Sequence, residues 1–152
     1  MTIVARVTRR TVLLLLAFLF LMARHAVTAG EAEMRPSKPE VRRDVIAAIA
    51  GQLAAFRAGD VAAAYGYAAR PLREQKSLQV FEGIVRFSYP EIWANTRAEY
   101  GVVRDDGQRA TLLVHVFAKE SDASYDFTLL RESAGWRVYG VVRHVPKKEE
   151  RV

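Results

Sequence analysis

Proton transfer in a small domain needs an imidazole or a carboxylate inside an apolar pocket, with a donor beside it that can stabilise an oxyanion. The 152-residue sequence offers 17 acidic residues, three histidines and six tyrosines for such work. Most of the aspartates are accounted for by local context. Asp105 and Asp106 stand in an Asp-Asp-Gly-Gln turn, and Asp60 follows Gly59 where a helix N-cap is suited. Asp126 alternates with Tyr125 and Phe127, which directs it away from the core. No buried aspartate pair is visible. His115 and His144 are the only histidines beyond residue 30, and neither has a carboxylate at metal-ligand spacing. There is no cysteine, which excludes disulfides and thiolate chemistry, and no metal or other cofactor is expected. His115 lies between Val114 and Val116. If those valines face the helices it sits on the outer face of a sheet, and in the opposite register it lines the interior. Phosphate-binding loops and nucleophile elbows are missing from the sequence. Amphipathic aromatics remain. Tyr65 and Tyr100, with His115, are the candidate ligand-binding residues, because an aromatic body with a polar tip suits a small amphipathic molecule at a pocket mouth.

The elements that would position these residues follow from a change of period. Val41, Val45, Ile49, Leu53 and Phe56 recur every three or four residues and predict a helix over 40–57. Gly59 closes it, and a short alanine-rich helix over 61–68 stops before Pro71. Ser77 caps a third helix carrying Leu78, Phe81, Ile84 and Val85 on one side, and Pro90 ends it. Beyond Trp93 the period becomes two. Strands are expected over 97–104, 110–118, 125–131 and 136–144, the first two joined by a hairpin at Gly107. In the last strand Trp136, Val138, Gly140 and Val142 should face the helices, and Arg137, Tyr139, Val141 and Arg143 the opposite side. The fold class is α+β: three N-terminal helices packed on a four-stranded antiparallel sheet. Leu113, Phe117, Tyr139 and Val141 would then form an apolar patch on the far face of that sheet, a candidate homodimer surface.

Charge and hydropathy describe the ends of the chain. The net charge is +6, but Arg6, Arg9, Arg10 and Arg24 precede position 30 while every acidic residue follows it. The remainder is a nearly balanced surface of mixed sign, so no nucleic-acid partner is expected. Arg6, Arg9 and Arg10 lead into an unbroken apolar run over 11–22, and Val27 and Ala29 occupy the −3 and −1 positions of a small-residue cleavage site. That order is the signal-peptide pattern, and the run is shorter than the about 20 residues a membrane-spanning helix needs. Residues 1–29 are therefore expected to be a signal peptide. The polar pair Arg24 and His25 leaves open an uncleaved anchor, the one route by which the membrane would be met. In either case the domain is expected outside the cytoplasm, periplasmic or secreted. Residues 30–39, with Pro36 and Pro39, read as a flexible linker, 40–146 as the domain and 147–152 as a solvated tail.

Three stretches carry a resemblance. QLAAFRAGDVAAAY (Gln52 to Tyr65), FEGIVRFSYPEIW (Phe81 to Trp93) and GWRVYGVV (Gly135 to Val142) resemble a bacterial family of small domains of unknown function within the nuclear transport factor 2-like superfamily. The likeness covers roughly residues 41–145, and Phe81, Val85, Tyr89 and Pro90 are its more telling positions. It implies a cone with a cavity between the helices and a curved sheet, and it makes sheet-to-sheet homodimers an expectation. It implies no activity, because the superfamily hosts isomerases, dehydratases, cyclases, transport adaptors and assembly domains. Its steroid-isomerase branch pairs an Asp base with a Tyr and a protonated Asp, and this chain lacks that constellation. The expected function is non-catalytic binding of a small apolar ligand or a protein partner. The alternative is a cofactor-free enzyme performing acid–base chemistry in the cone. Intact-mass measurement of the exported protein tests the address: loss of residues 1–29 is expected, and retention would mark an anchor.

Overall fold

A computed structural model describes residues 32–145; the expected signal peptide and the solvated tail lie outside them. Helix α1 runs Pro39–Arg57 with proline in its first turn, where the missing N–H costs nothing. Its apolar stripe buries Val45, Ile49, Leu53 and Phe56. Gly59, at φ 70°, turns the chain out of α1. The Asp60 carboxylate then accepts from the Ala63 N–H at 2.9 Å and starts α2, Val61–Gly66.

Both later prolines begin helices, although the sequence reading used them as stops. Pro71 lies in the first turn of α3, Arg70–Gln75, and Pro90 opens the short α5, Pro90–Trp93. Between them Ser77 caps α4, Leu78–Ser88, by accepting from the Val80 N–H. The described residues therefore form five helices in place of three.

The sheet is antiparallel and six-stranded in place of four-stranded. Strands β4, Arg109–Ala118, β5, Asp122–Glu132, and β6, Gly135–Arg143, form a meander. The single strand expected over 97–104 is two: β2, Asn95–Tyr100, and β3, Arg104–Asp105, both pairing with β4. The interruption starts at Gly101, whose N–H still reaches the Leu113 carbonyl at 2.8 Å, and it buries Val103. Part of the expected linker is also structured. Arg35–Pro36 form β1 and pair with β3, and the Ser37 N–H donates to the Val103 carbonyl at 2.9 Å.

Among the described residues α1 and α3 contact β6 and α5 contacts β4. Leu112, Val114 and Val116 of β4 join Tyr125, Phe127 and Leu129 of β5 in a core beneath α1 and α5. At the far side of the sheet the link between α2 and α3 joins β6. Val138 N–H donates to the Tyr67 carbonyl at 2.8 Å, and Ala69 N–H donates to the Val138 carbonyl at 2.7 Å.

The expected parity of β6 holds only for its first half. Trp136 and Val138 are buried, but the register shifts so that Thr128 pairs Gly140 while Leu129 pairs Val138. Tyr139 is the extra residue of a β-bulge, and everything after it faces the other way. Val141 now lies opposite Phe127 on the core side, and Val142 is 66% exposed. Substitution reads this parity directly. Val138→Ala should cost roughly 2 kcal/mol and Val142→Ala less than about 0.5 kcal/mol in urea denaturation, whereas unbroken alternation would make both costly.

Candidate functional site

A cavity of about 220 Å³ opens between α1, α4 and β6. Each element contributes for a local reason. The α1 stripe supplies Phe56 and Gln52, and α4 supplies Phe81, Ile84 and Val85 at helical spacing. Sheet strand β6 supplies Val138 before the bulge and Val141 after it. The walls are therefore almost wholly apolar, and Phe56 stacks on Phe81 with ring centroids 6.0 Å apart.

Few polar groups reach this space. Gln52 is 4% exposed, and its Nε2 donates to the Ala64 carbonyl at 3.1 Å. Its Oε1 accepts no hydrogen bond among the described residues, yet the only sealed, unpartnered side-chain polar atom there is Ser37 Oγ. The Gln52 oxygen is thus not sealed, and the residue is part of the cavity lining. Tyr89 lines it too, but its hydroxyl is spent on the Val141 carbonyl at 2.8 Å. Half-buried Lys76 and exposed Tyr139 complete the polar set, and Lys76 has no ion-pair partner among the described residues. No carboxylate and no imidazole lines the cavity. Among the described residues no cluster of three or more metal-ligating side chains occurs, and no helix is long and apolar enough to cross a membrane.

The residues chosen from sequence lie elsewhere and apart. Tyr65 packs on Phe81, and its hydroxyl donates to the Arg73 and Lys76 carbonyls, fastening α3 to α2. Tyr100 pairs with Val114 at the end of β2, where burial raises its hydroxyl pKa against the opposing charge of Arg57. His115 occupies the outer sheet face, with Nε2 2.8 Å from Asp122 and Nδ1 2.8 Å from Ser124. None of the three lines the cavity, and they form no common site.

The candidate dimer patch is also divided. Leu113 and Phe117 share the outer face, but the bulge removes Val141 to the core side and places Tyr139 at the cavity. Phe117 is itself covered. The Arg97 guanidinium sits 3.6 Å from its ring centroid, and the His115 ring meets it edge-on at 4.5 Å. A second imidazole–carboxylate pair, His144 with Asp126 at 2.8 Å, makes the same face more polar.

The strongest electrostatic feature went unread in the sequence. Glu91, in the first turn of α5, is 3% exposed. Its Oε2 accepts from the Tyr125 hydroxyl at 2.5 Å and from Arg143 Nη1 at 3.0 Å, and its Oε1 accepts from Arg143 Nη2 at 3.1 Å. Burial alone would raise the carboxyl pKa, but the hydrogen bonds from Tyr125 and Arg143 outweigh it and hold the group at about 2. Burial and the Glu91 carboxylate push the Tyr125 hydroxyl upward. A carboxylate ionised at neutral pH and bonded on both oxygens is no general acid; it clamps α5 to β5 and β6. Asn95 joins neighbouring elements by similar means: Nδ2 donates to the Leu53 and Ile92 carbonyls, and Oδ1 accepts from Arg57.

The clamp makes stability depend on acid. Glu91 titrates at about 2 in the folded chain against 4.5 for the free group, so its contribution is complete above about pH 4.5 and fades as pH falls towards 2. A difference of that size corresponds to on the order of 3 kcal/mol. Urea midpoints measured at pH 6 and pH 3 should fall for the native chain, and Glu91→Gln should be weaker at pH 6 with a much flatter dependence on pH.

A search of curated proteins finds no match. The family described as "Domain of unknown function (DUF4864)" matches residues 38–151, from the start of α1 through the whole meander. With three-quarters of its length matched, the chain belongs to the DUF4864 family.

Proposed function

We propose that this chain is an exported binding domain with a cone of the nuclear transport factor 2-like kind, whose cavity takes a small apolar ligand. The observation that carries this reading is the cavity itself: about 220 Å³, walled by Phe56, Phe81, Ile84, Val85 and Val141, with few polar groups. A concave apolar space with a few convergent polar atoms is the ordinary form of a small-molecule site. An engineered apolar cavity of about 150 Å³ admits benzene, so the larger space here suits one ring with short substituents. Acid–base catalysis has less support, because the lining offers neither an imidazole nor a carboxylate.

Thermal unfolding of the full chain with 4-methylphenol and toluene tests the reading. At a concentration a hundred times Kd, the ligand should stabilise the fold by about 2.7 kcal/mol and raise Tm by several degrees. Ile84→Trp fills the space from the half-buried side of α4 and should abolish the rise while the unliganded Tm stays near that of the parent. No rise with either probe would defeat the proposal, and conversion of a bound probe would favour the enzyme.

A further inference from the structure

The cavity's two unused polar groups define its ligand more narrowly. Gln52 sits deep among apolar side chains, 4% exposed, and its carboxamide keeps its oxygen and its second Nε2 hydrogen without a partner among the described residues. Nε2 must face the Ala64 carbonyl, since an amide oxygen there would meet another acceptor, and this fixes the orientation of the group. Oε1 is left as an acceptor without a donor among the described residues, and it is not sealed in a side chain that lines the cavity. A ligand that buries this oxygen must bring an O–H or N–H to it, or leave a buried acceptor unsatisfied. Lys76 poses the complementary demand. This half-buried residue is part of the same cavity lining, and no carboxylate of the described residues pairs with it. The neighbouring Glu74 is engaged by Arg70 at 2.9 Å. A cation beside an apolar space favours an anionic group on the ligand.

Resting on the proposed cavity-binding function, we infer that the ligand is a small hydroxyaryl carboxylate. One ring fills the apolar space, a hydroxyl donates to Gln52 Oε1, and a carboxylate meets the Lys76 ammonium. The ring is set by volume, the hydroxyl by the free acceptor and the carboxylate by the free cation. Neutral amphiphiles leave the lysine unused, and simple aryl acids leave the glutamine oxygen unpaired.

Isothermal titration calorimetry of the full chain with 4-hydroxyphenylacetate, phenylacetate and 4-methylphenol separates these demands. The hydroxy acid should bind about tenfold or more tightly than either of the others. Lys76→Met should remove its advantage over 4-methylphenol. Gln52→Leu should remove its advantage over phenylacetate. The three-ligand comparison on the unaltered chain stands even if a variant folds poorly. Equal affinities for the three, or losses that do not follow these pairings, would overturn the ligand assignment while leaving apolar binding in place. Failure of all three to bind would remove the cavity-binding reading itself.

Discussion

One extra residue in β6 governs the architecture of this domain. Up to Val138 the strand presents alternate side chains to the helices, and Tyr139 then occupies a position with no partner on β5. The parity of everything downstream is inverted. Val141 becomes a cavity wall, and Arg143 lies over the same face as Tyr125 within reach of Glu91. Without that insertion Arg143 would leave a buried carboxylate uncompensated, a condition proteins avoid because the desolvated charge has no counterpart. The apolar cavity and the ion pair are thus two results of a single backbone irregularity.

The two also divide the labour of the interior. The Glu91–Arg143–Tyr125 cluster holds α5 down on the meander, and Asn95 ties the end of α1 to the same region. These strongly polar groups are mutually bonded and stand clear of the cavity lining. The cavity keeps only weakly committed polar atoms. Its walls come from α1, α4 and β6, three elements whose relative placement the clamp helps to fix, so the space is shaped by groups that do not enter it.

Periodicity made much of the scaffold legible. The α1 stripe, the Asp60 and Ser77 caps and the hairpin at Gly107 are local devices, each settled by residues within one or two turns of chain. Pro71 and Pro90 were ambiguous, because proline stops one helix and starts the next with equal ease. The division at Gly101 had a signal in the glycine itself. The bulge had none: alternation in β6 reads equally well in either parity, so Val141 was placed on the wrong side. The site suffered most from this. Tyr65, Tyr100 and His115 were chosen by chemical type, whereas cavity residues are chosen by tertiary geometry, which brings Gln52 and Val141 together from opposite ends of the domain. Glu91 resembled a surface acid, since its partners lie 34 and 52 positions away.

The short segments beside the meander bear on colloidal behaviour. A free strand edge is a template on which another chain can grow a β-ladder. Here β6 is flanked by Tyr67 to Ala69, and β3 is flanked by β1, which carries Pro36 and so has one fewer donor to offer. The remaining margin, β2, carries the charged pair Arg97 and Glu99. Lateral growth of the described sheet therefore meets a bonded segment at Val138, a proline-bearing strand beside β3 and charged side chains along β2.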